Sequence, residues 1–302
     1  MLDLIRPAFA HLAQLEDDVP ADLTITMWDA ESTGERYPDF RLPEVGPLAT
    51  GMLTSPEVLM SYSTVERTIT VLDRVNNEAA FIVNDVPSIP PWERPCPLRT
   101  LFSWWFIDRG LLLAHSAAVS TDDGAALLVG PGGSGKSSTA MACLAGGMGY
   151  LGDDYVVVDL ERNEVWSLYG SAKLVEAHLE RNPGLMVSDG TIVHEAKAVK
   201  RYGWPALEFP ERVRLHAPIG AMVLPVVTRG PECRLLPSTS ARALLALAPS
   251  TMFQSSALKE GAFALSSALV RRFVPYRLEL GEGVERVPGM LAELIAAGRR
   301  AQ

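Results

Sequence analysis

A chain of 302 residues, 48% of them hydrophobic, can bury a substantial core and fold as one large domain or two of ordinary size. Its formal charge of −9 argues against sequence-independent binding to nucleic acid or to an anionic membrane, both of which need a basic face. Cys96, Cys143 and Cys233 are far apart and lack metal-type spacing, Met1 to Asp17 holds no signal-peptide core, and no run of about 18 apolar residues occurs, so the expectation is a soluble protein of the reducing cytoplasm without disulfides or zinc.

In chain order, Leu23 to Met27 and Val58 to Tyr62 read as strands, and Thr68 to Val75 turns at Asn76-Asn77 into Ala79 to Val83 as a hairpin. Asp29 to Tyr37 and Pro43 to Gly51 read as loops, and no catalytic constellation, internal repeat or low-complexity tract shows here. The segment Ile89-Pro90-Pro91-Trp92-Glu93-Arg94-Pro95-Cys96-Pro97 is too rich in proline to continue a helix or join a sheet interior. It divides the chain into residues 1–97, a β-rich N-terminal domain with a linker that could bind substrate or partner, and residues 98–302.

Leu98 to Arg109 reads as a helix stopped by Gly110, with Trp104 and Trp105 as core rather than as a stacking platform. The apolar runs Leu112 to Val119 and Ala125 to Val129, separated by Thr121-Asp122-Asp123-Gly124, form a hairpin signal. Antiparallel pairing at this point predicts a mixed sheet within an α/β fold.

The most informative segment follows that strand: Gly130-Pro131-Gly132-Gly133-Ser134-Gly135-Lys136-Ser137, with Ser138 next in line and a helix-forming run to Leu144. Strand, Gly-x₄-Gly-Lys-Ser and helix together make a phosphate-binding loop. Its backbone N–H groups turn around a triphosphate, Lys136 reaches the β/γ-phosphates, and the Ser137 hydroxyl can ligate Mg²⁺.

Beyond the helix lies Tyr150-Leu151-Gly152-Asp153-Asp154-Tyr155-Val156-Val157-Val158-Asp159. Two readings compete for the metal. An apolar strand ending in an acid is the generic second NTPase motif and would select Asp159. Alternatively, the adjacent Asp153 and Asp154 tolerate their repulsion because one binds a cation and the other takes a proton from an attacking hydroxyl. Asp159, followed by Leu160-Glu161-Arg162-Asn163, also reads as a turn residue before a strand at Val165 to Tyr169. His115, inside the first strand of the hairpin, can come alongside the loop and either bond a backbone carbonyl or stabilise developing charge.

Lys173, opening an expected helix Ala172 to Glu180, is the first candidate cation for a transferring phosphoryl group or its acceptor. Lys197, Lys200 and Arg201 form a small basic cluster, and Arg271-Arg272 end an amphipathic helix from about Gly261. His178, His194 and His216 lack ligand spacing and read as structural. Ile219 to Val227 and Cys233 to Leu236 read as a strand pair, Ser238-Thr239-Ser240 caps a helix Ala241 to Leu247 stopped by Pro249, Tyr276 to Leu280 is a strand, and Pro288 opens a final helix Gly289 to Ala297.

His115, the loop Gly130 to Ser137, and Leu151-Gly152-Asp153-Asp154 resemble, in order and spacing, the catalytic half of the HPr kinase/phosphorylase family, which is similar in fold to phosphoenolpyruvate carboxykinase. The resemblance implies that His115 lies in the active site, that Lys136 and Ser137 serve phosphate and Mg²⁺, that Asp153 is the acid/base, and that Asp154 assists the metal; it favours this pair over Asp159. Ser167 to Leu174, Leu247 to Gln254 and Tyr276 to Leu280 further resemble HPr-kinase-like serine kinases of bacterial biosynthetic clusters, some of which phosphorylate a serine of a lasso peptide precursor. The N-terminal region does not resemble that of true HPr kinases, and their signature region after the aspartate pair is not found, which argues against HPr as acceptor and against the reverse phosphorylase activity. The implied activity is ATP- and Mg²⁺-dependent phosphorylation of a serine on a peptide or small protein. A small-molecule kinase and a nucleotide-dependent switch with slow ATPase activity remain alternatives, and the oligomeric state, homo-oligomer included, stays open.

Overall fold

The computed structural model describes residues 1–12, 19–38, 50–64, 66–175, 192–195, 198–228 and 230–300. Among these, seventeen strands form three sheets. The first sheet contains β1 (Thr24–Asp29), β2 (Thr50–Thr54), β3 (Val58–Ser63), β4 (Thr68–Asp73) and β5 (Glu78–Val83) in the order β1-β5-β4-β3-β2. Only β1 and β5 run parallel. The expected β4–β5 hairpin closes on Asp73, which accepts from Val75 N and Asn76 N at 2.9 and 3.0 Å, and on Asn77 in the left-handed region at φ 53°. A short helix, α2 (Ala30–Thr33), follows β1 with Asp29 as its cap.

The large sheet holds β6 (Leu111–Ala114), β7 (Ser116–Thr121), β8 (Gly124–Val129), β9 (Gly149–Gly152), β10 (Val156–Asp159), β11 (Glu164–Ser167), β15 (His216–Val227), β16 (Arg234–Pro237) and β17 (Pro275–Leu280). Its order is β6-β10-β11-β15-β8-β7-β9, with β17 added against β15 and β16 outside β17. β8, β15 and β17 run parallel and the remaining pairs are antiparallel, so the sheet is mixed, as the Asp-Gly turn implied. A small third sheet has β12 (Ala172–Val175), β14 (Ala198–Gly203) and β13 (Ile192–Glu195) in that order.

Helices cover the large sheet on both faces, and the alternation along β8 shows why. Ala125, Leu127 and Val129 point to α6 (Ser240–Gln254) and α7 (Lys259–Arg272), where Ala243, Leu247, Leu269 and Val270 meet them. Ala126 and Leu128 point the other way, to Ala140, Met141 and Leu144 of α4 (Lys136–Ala145) and to Leu291 and Ile295 of α8 (Val287–Arg300). A strand buried on both faces must be apolar throughout, as this one is. A further short helix, α5 (Pro205–Glu208), follows β14.

Two helices pack across the proline-rich segment. From α3 (Arg99–Ile107), Leu101 and Trp104 enter the core of the first sheet with Leu59, Leu72 and Phe81, while Phe106 packs with Leu113, Tyr155 and Val157 of the large sheet. From α1 (Leu2–Phe9), Ala8 joins that second cluster, and Ala8 O accepts from Gly170 N at 2.8 Å. The proline-rich segment is itself fastened down: Tyr169 Oη donates to Pro97 O at 2.7 Å, and Ser171 Oγ to Pro95 O at 2.5 Å.

Four expectations are corrected. The run Leu112 to Val119 is not one strand: it breaks at His115, because β6 pairs with β10 whereas β7 pairs with β8. Ala172–Val175 is a strand rather than the start of a helix, since β14 supplies a register partner for each of its four residues; residues 176–180 lie outside the described residues. Helix α6 runs through Pro249 to Gln254. The missing N–H leaves the carbonyl of Leu245, which is 76% exposed, for water to satisfy. Finally, β16 pairs with β17 and not with β15, whose edge β17 occupies over six residues. Most of the loop Pro43 to Gly51 also lies outside the described residues, as do His178 and Lys197.

Candidate active site

The register of the large sheet brings residues from distant positions to one edge. Ser116 pairs with Val129, the last strand residue before the loop, and Ala114 pairs with Val156, two residues after Asp154. His115, between Ala114 and Ser116, is therefore held between the glycine-rich loop and the aspartate pair. Its backbone N–H donates to Thr251 Oγ1 of α6 at 3.2 Å, which fixes the break in the strand.

The loop leaves β8 at Gly130 and enters α4 at Lys136. Gly133 and Gly135 adopt φ of 82° and 108°, conformations that side chains rarely take. A Cβ on Gly135 would also collide with Leu280 at the end of β17 and lie 3.3 Å from Val227 at the end of β15. Thus the loop sits beyond the carboxyl ends of three parallel strands, the usual crevice of such sheets. Pro131 and Gly132 are exposed, and Ser134 Oγ is buried without a hydrogen-bond partner. Lys136 is buried, its Nζ donating to Gly130 O at 2.7 Å and Pro131 O at 3.3 Å. Ser137 and Ser138 follow in the first turn of α4.

Asp153 and Asp154 lie in the turn between β9 and β10. Asp153 is 1% exposed, and its Oδ2 accepts from Lys173 N at 2.8 Å, while Oδ1 is buried without a partner. Burial and the neighbouring Asp154 charge push its carboxyl up to about 7, against the Lys173 N–H, the Ser137 hydroxyl and the Lys136 ammonium. Asp154 goes the opposite way. Burial raises it, but Lys173, His115 and Lys136 outweigh that and hold it below the usual carboxylate range. Lys173 Nζ stands 3.5 Å from Asp154 Oδ2, and His115 Nε2 stands 3.8 Å from Oδ1. Burial lowers His115, helped by Lys136 and Lys173 and opposed by Asp154. Two carboxyls driven apart in this way divide into one anion and one proton acceptor poised near neutrality.

The arrangement brings together Gly130 to Ser138, His115, Asp153, Asp154 and Lys173. It does not include Asp159, which ends β10 roughly 10 Å beyond Val156 at ~3.3 Å per residue. There its Oδ1 accepts from Glu161 N and Arg162 N at 2.8 and 3.0 Å, as a turn residue does. Arg271 and Arg272 are exposed before Pro275, the opposite end of β17 from Leu280. Arg201 pairs with Leu174 in the small sheet, and of Lys200 and His194 only the backbone is described. His216 stacks on Trp166 at 4.4 Å, far from the loop end of β15.

Sequence reasoning missed Thr251, which anchors the His115 backbone, and Tyr155, whose ring stacks on His115 with centroids 5.0 Å apart. Both lie in segments noted for other reasons, but only the tertiary contact reveals what they touch. A separate cleft of about 540 Å³, bordered by Arg74, Asn77, Asp108 and Arg109, has its charges already engaged: Arg74 and Asp108 form two bonds of 2.6 and 2.7 Å, and Arg109 Nη2 donates to Asn77 Oδ1 at 2.6 Å.

Residues able to hold a hard cation are present. Ser137 and Asp154 supply oxygen donors beside the loop, and among the described residues no cluster of three or more His, Cys, Asp or Glu could hold a metal by itself. Two such oxygen donors fit a cation like Mg²⁺, which keeps water and phosphate oxygens among its ligands. No helix among the described residues is long and apolar enough to cross a membrane.

No family model matches the chain, and neither does any curated protein. Among solved structures, the HPr(Ser) kinase/phosphatase from Coxiella burnetii is similar at 11% identity and a TM-score of 0.29, over 62% of this chain and 95% of that one. At that TM-score the likeness carries no weight for fold or chemistry, which rest on the geometry of this chain.

Proposed function

We propose that the protein is an ATP- and Mg²⁺-dependent kinase that transfers the γ-phosphoryl group to a serine hydroxyl of a peptide or small protein. The observation that carries this reading is Asp153: a buried carboxyl with one unpartnered oxygen, pushed up to about 7, beside Lys136 and Ser137 of a glycine-rich loop. A general base works best with a pKa near the operating pH.

In this reading the loop N–H groups and Lys136 bind the triphosphate, with the ammonium exchanging its carbonyl partners for phosphate oxygens. Ser137 and Asp154 would hold Mg²⁺, which when bound neutralises charge on the phosphate oxygens. Asp153 Oδ1 accepts the acceptor hydroxyl's proton as its oxygen bonds to the γ-phosphorus and the bond to the β-phosphate oxygen breaks, releasing ADP. Lys173 and His115 keep Asp154 ionised, the first by its charge and the second by its ring N–H, and Lys173 places positive charge where the transferring group gains negative charge. Catalysis is then chiefly positioning and charge neutralisation. Within this proposal, the precursor of a lasso peptide is the acceptor to try first, on the motif resemblance alone, and the cytoplasm is the compartment.

The test is incubation with Mg-ATP and serine-containing peptides, followed by mass spectrometry and ADP measurement. ADP formed in proportion to phosphopeptide supports the kinase reading. An affinity for partners that changes between ATP and ADP, with no phosphorylated product from any acceptor, would establish a switch instead.

A further inference from the structure

A chain of side chains runs from the proline-rich segment to His115. Glu93 Oε1 pairs with Arg99 Nη2 at 2.9 Å, and Glu93 Oε2 accepts from Leu98 N at 3.1 Å. Leu98, in between, is held at φ 60°, a left-handed conformation that a leucine adopts at a cost. That strained residue directly precedes Arg99 and aims its guanidinium inward. Arg99 Cζ lies 5.8 Å from the centroid of Tyr155, and the same ring stacks on His115 with centroids 5.0 Å apart and planes at 28°. Tyr169 meets Tyr155 edge-on at 6.5 Å and is tied to Pro97. Tyr155 is thus confined from several sides while belonging to none of the phosphate-binding or carboxylate groups.

The imidazole of His115 has little else to fix its plane. Its Nδ1 is buried without a partner, and its Nε2 is a long 3.8 Å from Asp154. A ring so placed can turn about its χ2 bond unless a neighbouring face restrains it. Offset stacking on an aromatic ring supplies that restraint, and a desolvated cation against the second ring holds it in turn.

We propose that Tyr155, seated by the Glu93–Arg99 pair, is a positioning residue that sets the plane of His115 so that Nε2 faces Asp154. The proposal rests on the phosphoryl-transfer reading for its kinetic consequence, and on geometry alone for its structural one. Strain at Leu98 then has a use: it places a cation from the junction of the two large sheets against the ring that orients an active-site histidine. In this proposal Tyr155 acts through His115 and not directly on nucleotide or acceptor.

The test compares Tyr155→Leu, Tyr155→Phe and Arg99→Met. Loss of the ring should lower kcat about tenfold or more while nucleotide KM stays within about twofold, because binding to the loop is untouched; Tyr155→Phe should restore kcat to within about threefold. In proton spectra of the nucleotide-free protein, the His115 ring resonances, assigned by their disappearance in His115→Gln, should carry a ring-current displacement that Tyr155→Leu removes and Tyr155→Phe keeps. Unchanged kcat in Tyr155→Leu, or an equal rise in KM, overturns the proposal. Should Tyr155→Leu fail to fold, Arg99→Met decides: kcat down about threefold or more at constant KM supports the seating role, and unchanged kcat overturns it. If the wild type transfers no phosphoryl group, the kinase reading fails by itself, and the His115 resonances still show whether Tyr155 holds the ring.

Discussion

Of the chain's three Asp-Asp pairs, Asp17-Asp18 lies outside the described residues, and strand β8 stands between the other two in space. Asp122-Asp123 closes the hairpin that leads into β8 at Gly124, whereas Asp153-Asp154 faces the loop that leaves β8 after Val129. The first pair is exposed, and its backbone is tied to Thr121 Oγ1 at 3.2 Å and Arg299 Nη1 at 2.9 Å. The second is closed in by β9, β10, Lys173 and the loop, and its two carboxyls are driven in opposite directions. Adjacency of acids therefore carries no chemistry by itself. Burial against a fixed set of cations drives one pair apart, into a carboxylate and a carboxyl that holds its proton more tightly, while solvent leaves the other a turn.

That contrast can be broken in a graded series. The largest expected effect is at the cation shared by loop and carboxylates: Lys136→Ala should lower transfer by roughly 10³-fold or more while circular dichroism stays native. Next, Asp153→Asn should reduce kcat by about 10²- to 10⁴-fold with nucleotide affinity within a few-fold, whereas Asp122→Asn and Asp159→Asn should stay within about twofold of wild type. Full turnover in Asp153→Asn, measured as phosphopeptide per enzyme, removes Asp153 as the base. Lys173→Met takes one cation from Asp154 and leaves the backbone bond to Asp153, so a loss of roughly tenfold in kcat is expected.

Three smaller effects sharpen the comparison. On the proposed mechanism Asp153 must be deprotonated, so kcat/KM for the free enzyme should fall about tenfold per pH unit below about 7 and level off above it; a profile flat from pH 5 to 8 argues against this base. Stability takes the opposite sign. A carboxyl raised in the folded state favours the fold at low pH, and that contribution is lost as pH rises through about 7. Asp153→Asn lacks this dependence, so its melting temperature should exceed that of wild type by a few degrees at pH 8, with the gap closing near pH 4. Smallest of all, Arg74→Ala removes a partly exposed ion pair that joins the first half to Asp108 of the second and should cost no more than about 1 kcal/mol, with transfer unchanged.

What could be read from the sequence was what is encoded locally. The phosphate loop is contiguous, its flanking strand and helix announce themselves, and the turns at Asn76-Asn77 and Asp123-Gly124 follow from turn chemistry. Misreadings arose where a distant partner decides. Ala172–Val175 becomes a strand only because β14, more than twenty residues on, offers it an edge. β16 lost its expected partner because β17, about forty residues later, claims the side of β15 first. His115 was placed near the loop, but the break in the strand that puts it there depends on Thr251, 136 residues away. Lys173 was chosen for its charge; its backbone N–H on Asp153 emerges only from the fold.

The two helices that reach across the proline-rich segment carry a consequence for how the molecule comes apart. Leu101 and Trp104, from beyond that segment, plug the core of the first sheet, while Ala8, from before it, plugs the cluster around Tyr155. Each half thus lends the other an indispensable stopper. Severing the chain between residues 97 and 98 would leave two fragments, each with a greasy hole where the other's helix belonged. Neither should persist in water alone, and the two should recover together only by recombining, so heat ought to dismantle the protein in one step rather than two.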